Sequence, residues 1–130
     1  MKKIIVLLVF FMNIIGVAQD SKGCEGSEPN YINRMPGFYV SDCKNSDYND
    51  VEFVYYVKGD AFKINKSGKY YDIYYSKKED VSQKYSSAQI NDNYYNAILK
   101  IKGKALADRK TTLFASINGK DVYIQVHTAA

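Results

Sequence analysis

Two cysteines, one histidine and thirteen tyrosines are the residues of this 130-residue chain through which chemistry would have to run. Cys24 and Cys43 are the only cysteines. An even count suits a disulfide in an oxidising compartment. Bonded, they close a loop worth on the order of 3 kcal/mol in the chain-entropy model. A Cys–His nucleophile pair would need a free thiol, and the lone His127 lies on the polar side of the last strand pattern. It has no second histidine with which to build a metal site. Glycine-rich phosphate loops, nucleophile elbows and zinc spacings are missing from the sequence. The acids Asp42, Asp47, Asp50, Glu52, Asp60 and Asp72 are scattered, as solvated loop and strand charges are. The residues therefore predict no enzyme, cofactor or metal. The tyrosines remain, each joining an apolar ring to a polar tip, which suits half-buried sheets and wet interfaces.

The first 18 residues say where such chemistry would take place. Lys2 and Lys3 precede the apolar run Ile4–Val17, and Gly16-Val17-Ala18 supplies small residues before polar Gln19-Asp20. This reads as a secretory signal peptide cleaved after Ala18, and the chain is expected in the periplasm or outside the cell. A retained anchor is the competing reading, but the run is short for a membrane span. Lipidation of Cys24 fits poorly, because Lys22 stands where a small or aliphatic residue belongs. Residues 19–130 read as one domain with no transmembrane segment. Without Lys2 and Lys3 the formal charge falls from +4 to +2, too little for a nucleic-acid footprint.

The elements that must position the tyrosines follow from periodicity. Residues 19–30 read as loop, Arg34-Met35-Pro36-Gly37 as a turn, and Asp42–Asp50 as a polar connector. Val51–Val57 is a strand with Val51, Phe53, Tyr55 and Val57 on one side and Glu52, Val54 and Tyr56 on the other. Lys58-Gly59-Asp60 and Asn65-Lys66-Ser67-Gly68 read as turns. Lys69–Ser76 is a strand placing Tyr71, Ile73 and Tyr75 opposite Tyr70, Asp72 and Tyr74.

The period then changes to that of a helix. Ser86 and Gln89 form a capping box, with Tyr85 and Ile90 placed for a hydrophobic staple. Ile90, Tyr94, Ala97, Ile98 and Ile101 make one apolar face, and Gly103 is placed as the C-cap. Two more strands follow. Leu113, Ala115 and Ile117 alternate in the first, and Val122, Ile124 and Val126 in the second, joined by an Asn118-Gly119 hairpin turn. The order β-β-α-β-β implies an α+β fold, an antiparallel sheet with one amphipathic helix on one face.

If the Phe53 and Ile73 sides meet the helix, Tyr56, Tyr70 and Tyr74 share the outer side as a candidate binding face. Cover from the N-terminal segment, with Tyr31, Phe38 and Tyr39, is the alternative.

Four ordered motifs resemble a known module. They are Arg34-Met35-Pro36-Gly37-Phe38-Tyr39-Val40, Gly68-Lys69-Tyr70-Tyr71, Asn93-Tyr94-Tyr95-Asn96-Ala97-Ile98 and Gly119-Lys120-Asp121-Val122-Tyr123-Ile124-Gln125-Val126. They resemble the N-terminal module of a group of OmpA-family outer-membrane proteins, and the similarity covers roughly Tyr31 to Val126. The resemblance implies an envelope-associated domain. The aspartate and arginine with which that family holds diaminopimelate have no counterpart before Ala130, so wall binding is not implied. The expected function is that of an exported, non-enzymatic interaction module with an envelope protein as partner. A binder of a small apolar or aromatic ligand between helix and sheet is the alternative.

Overall fold

The computed structural model describes residues 19–128, so the proposed signal peptide lies outside the described residues. Strands β1 (Phe38–Val57) and β2 (Asp60–Lys77) come first, then helix α1 (Ser87–Lys100). The short β3 (Lys104–Ala105), β4 (Thr112–Ile117) and β5 (Lys120–Gln125) follow. The fold is α+β and antiparallel throughout, and its strands divide into two sheets, β1-β2 and β3-β4-β5.

Helix α1 begins as its sequence dictates. The Ser86 side chain accepts the Gln89 N–H at 3.2 Å, and the Ser86 N–H donates to Gln89 Oε1 at 2.8 Å, so two otherwise unpaired amides are satisfied together. Its end corrects the sequence reading. The C-cap is Ile101, and Lys102 takes the left-handed conformation with φ 64°. The Lys102 N–H donates to the Leu99 carbonyl at 3.0 Å and the Gly103 N–H to the Ile98 carbonyl at 2.9 Å, the Schellman pattern. Gly103 is required for space instead. A Cβ there would lie 2.4 Å from Ile98 Cγ2 and 2.5 Å from the Phe114 carbonyl oxygen.

That close approach seats α1 on the three-stranded sheet. Tyr94, Ile98, Leu113 and Ala115 form the buried cluster, and Ile32, Tyr75, Ile90 and Ile124 pack around it. The helix–sheet contact is thus filled by the chain's own side chains. Ile101, expected on the buried face, is 37% exposed, because it caps the helix and lies beyond the sheet contact.

The β1-β2 ribbon departs furthest from expectation. Asp42–Asp50 and Asn65–Gly68, expected as connector and turn, are paired strand, with Ser46 opposite Tyr70 and Val51 opposite Lys66. Local turn chemistry yields there to long-range pairing, and β1 absorbs two register shifts, at Val40/Asp42 and Ser46/Asn49. Each shift inserts one extra residue in β1 and exchanges the faces its side chains occupy. Both strands are far longer than the usual five or six residues, roughly 20 Å.

Different faces of the ribbon are buried at its two ends. Towards the open end, Val40 and Cys43 pair with Tyr75 and Ile73 and lie beneath the N-terminal segment. Towards the turn, Phe53 pairs with Ile64 and packs on Tyr123, ring centroids 5.9 Å apart. Ile64 alternates with Tyr71, Ile73 and Tyr75 along β2, so the covered face changes along its length. Two-stranded ribbons twist strongly, and the bulges add to that twist.

Candidate functional site

The N-terminal segment determines which tyrosines stay uncovered. Cys24 and Cys43 are bonded, with Cα atoms 5.9 Å apart, as expected. The bond fastens residues 19–37 across the Tyr71/Ile73/Tyr75 face of the ribbon. The Ser21 N–H donates to the Val40 carbonyl at 2.8 Å, and the Val40 N–H donates to Asp20 Oδ1 at 2.9 Å.

Arg34 gathers the charges beneath this segment. Its guanidinium donates to both Asp20 oxygens, at 2.7 and 2.8 Å, and to Glu28. Such forked pairing is the strong form of the ion pair. The Tyr75 hydroxyl donates to the second Glu28 oxygen at 2.5 Å. The Arg34 hydrogen bonds, first, and the Val40 amide hold the Asp20 carboxyl down at about 2. Burial, and next the Glu28 hydrogen bond, push the Tyr75 phenol far above its ordinary range. Tyr94 is raised to about 12, chiefly by burial. No motif announced this cluster, because its acids lie in a segment whose local signals are those of loop.

The structure brings together two of the three candidate tyrosines. Tyr70 and Tyr74 alternate with Tyr71 and Tyr75 and so face away from the N-terminal segment, with Asp72 between them. The Tyr74 hydroxyl reaches Asp72 Oδ2 at 3.4 Å. Tyr74 is 50% exposed and Tyr70 half-buried. Burial raises the Tyr70 phenol, and the neighbouring Asp72 adds to it.

Tyr56 is exposed but sits elsewhere. It pairs with Ala61 beside the turn, about 40 Å of strand from Tyr74 at 3.3 Å per residue. Strand alternation from Ala61 puts it on the opposite ribbon face. It was expected on the same side because Asn65–Gly68, read as a turn, concealed that β2 runs unbroken from Ala61 to Tyr74 and so fixes their alternation. The N-terminal segment, weighed as cover for Tyr70 and Tyr74, lies on the other face.

The ribbon's edges differ as well. Along β1 the Asp108 N–H donates to the Tyr56 carbonyl at 3.2 Å, and the Lys58 N–H donates to Asp108 Oδ2 at 2.7 Å. Strand β2 has β1 on one side and, among the described residues, no strand on the other. His127 is exposed. Among the described residues no group of three or more acidic, histidine or cysteine side chains is placed to hold a metal, and no helix is long and apolar enough to cross a membrane. No protein-family model, curated protein or solved structure matches this chain.

Proposed function

We propose that this chain is an exported, non-enzymatic, envelope-associated module that docks a partner protein along β2. One observation carries the reading. An 18-residue strand that, among the described residues, has no strand along one edge presents Tyr70, Asp72 and half-exposed Tyr74 beside it. A free edge accepts a partner strand through main-chain hydrogen bonds, and side chains alternating beside it supply specificity. Tyrosine gives much contact area at low cost in side-chain entropy. Lys63, Lys66 and Lys69 along the same strand oppose pairing with a second β2. They favour a partner strand with neutral or acidic side chains.

Export is supported by the Cys24–Cys43 bond, which belongs to an oxidising compartment, and by the signal-like Met1–Ala18 run. The four OmpA-like motifs support placement at the envelope, periplasmic or extracellular. Neither a nucleic acid nor a cofactor is proposed as partner.

The test places a photo-crosslinking amino acid at Tyr74 and, separately, at exposed Lys120 in β5. A discrete adduct in the native envelope from position 74 alone supports the reading. Tyr70→Ser with Tyr74→Ser should abolish the partner's binding and leave the melting temperature nearly unchanged. Binding that survives the double change, or a double change that unfolds the chain, would overturn it.

A further inference from the structure

A second surface, beside the N-terminal segment rather than on the Tyr70/Tyr74 side of the ribbon, and independent of the proposal above, has the composition of a ligand site. Asn93, Asn96, Ala97, Lys100 and Ile101 recur at helical spacing on a stripe of α1 beside its buried one. The facing wall is the Pro29–Asn33 turn, closed by the Ile32 N–H donating to the Pro29 carbonyl at 3.1 Å. Ile32 anchors that turn in the core cluster, so Tyr31 and Asn33 flank a fixed point. The Asn93 side-chain amide donates to the Asn33 carbonyl at 3.4 Å and ties the two walls together.

Between them lies an open cleft of about 510 Å³, within the range of about 300–1,000 Å³ that holds small organic ligands. Four asparagines, Asn30, Asn33, Asn93 and Asn96, line it. Each amide offers two donors and an acceptor without charge. No carboxylate lines the cleft and Lys100 is its single cation, so neither a metal ion nor a polyanion finds matching charge. Burial keeps the Tyr31 hydroxyl protonated above its usual range, with Tyr71 adding to the effect. It therefore remains a neutral donor and acceptor. Tyr31 and Ala97 supply apolar surface, and Ile101 leaves over a third of its own uncovered.

Paired amide donors and acceptors around an aromatic ring and an uncovered aliphatic patch match one chemistry. A sugar presents hydroxyl or acetamido groups at its edge and a C–H surface on its ring face. We propose that this cleft binds a neutral oligosaccharide, held by the asparagine amides with one ring face against Tyr31 and Ile101.

The test follows the side-chain amide signals of the isotope-labelled protein by NMR during titration with triacetylchitotriose and, separately, maltotriose. One of the two sugars should shift the signals of Asn30, Asn33, Asn93 and Asn96 and leave backbone signals of Lys58–Phe62, at the ribbon's turn, in place. Asn30→Ala with Asn96→Ala, both at exposed positions, should weaken binding about tenfold, equivalent to roughly 1.4 kcal/mol, at an unchanged unfolding midpoint. Sedimentation with insoluble chitin or amylose separates the two sources of such a ligand. Retention competed by the matching trimer assigns a polymeric glycan, and trimer binding without retention assigns a free oligosaccharide. If neither sugar moves the asparagine signals at the limit of solubility, or the double change leaves affinity intact, the proposal fails.

Discussion

The molecule contains two β-hairpins that turn in the same way and are held in different ways. Lys58 and Gly59 have φ of 51° and 83°, and Asn118 and Gly119 have 53° and 77°. Both are two-residue turns of the kind that matches strand twist. The β4-β5 hairpin is six residues a side and buries Thr112, Leu113 and Ala115. The β1-β2 hairpin runs 20 and 18 residues, and Lys44–Asp50 in β1 is exposed throughout. The short hairpin is stable because one face is packed on α1. The long one is fastened at its ends, by the disulfide and the Arg34 cluster at one and by Phe53 and Asp108 at the other. An isolated two-stranded ribbon is marginal in water, so those fastenings are what keep the exposed middle in register. One hairpin holds the fold together and the other carries surface.

The largest expected difference lies in core truncation. Leu113→Ala or Ile98→Ala should cost about 2–5 kcal/mol, whereas Tyr74→Ala should stay within about 0.5 kcal/mol. Urea unfolding of the three variants measures this directly. Equal losses would mean that the ribbon is as much a part of the core as β4.

Cys24→Ser with Cys43→Ser comes next, at about 3 kcal/mol. Its local signature is more informative than its size. Hydrogen exchange should quicken first in the 19–50 region and leave Thr112–Gln125 protected until global unfolding.

Acid and alkali should also separate the two hairpins. Asp20 sits at about 2 in the fold, below the unfolded value of about 3.9. Its stabilisation is therefore complete above about pH 4 and fades as the pH falls towards 2. Tyr75 and Tyr94 are raised, so their contribution is complete below about pH 10 and fades as the pH rises further. Asp20→Asn should flatten the acid limb of a stability–pH curve and Tyr75→Phe the alkaline limb. Substitutions in β5, such as Val122→Ala, should lower the whole curve and leave its shape unchanged.

The smallest effect comes from exchanging the turns. Lys58→Asn should stabilise by about 0.5–1 kcal/mol, since asparagine tolerates the left-handed region better than lysine. Asn118→Lys should cost a similar amount. Opposite signs of similar size would confirm that both turns obey one local rule, and that the hairpins differ only in what lies beyond them.

That contrast also governs what could be read from the sequence. Helix α1 and the β4-β5 hairpin were legible because each carries its own signals. These are a capping box, an apolar stripe, an Asn-Gly turn and strict alternation over a few residues. The Cys24–Cys43 pair was legible by count. The middle of the ribbon was not, since Asn45–Asn49 and Asn65–Gly68 are turn formers by composition and become strand only by pairing with each other. The faces of the ribbon were lost for a related reason. With Asn65–Gly68 read as a turn, Lys69–Ser76 carried no register to Val51–Val57. Tyr70 and Tyr74 share one unbroken strand and so one face, while Tyr56 pairs with Ala61, which alternates with them along that strand. The asparagine cleft joins Asn33 and Asn93, 60 positions apart, and no periodicity spans that distance.

The disulfide has a mechanical corollary. Tension applied at the N-terminal end of the folded chain enters through Gln19–Gly23, reaches Cys24 and crosses directly to Cys43 in β1. Pulling would therefore part the Asp20–Arg34 ion pair and the Ser21–Val40 hydrogen bond first, since both anchor the loaded segment, and would then strain the ribbon through the disulfide. A reductant would add about 60 Å of extensible contour, at 3.3–3.6 Å per residue across a separation of 19, making tether length a readout of the compartment's redox state.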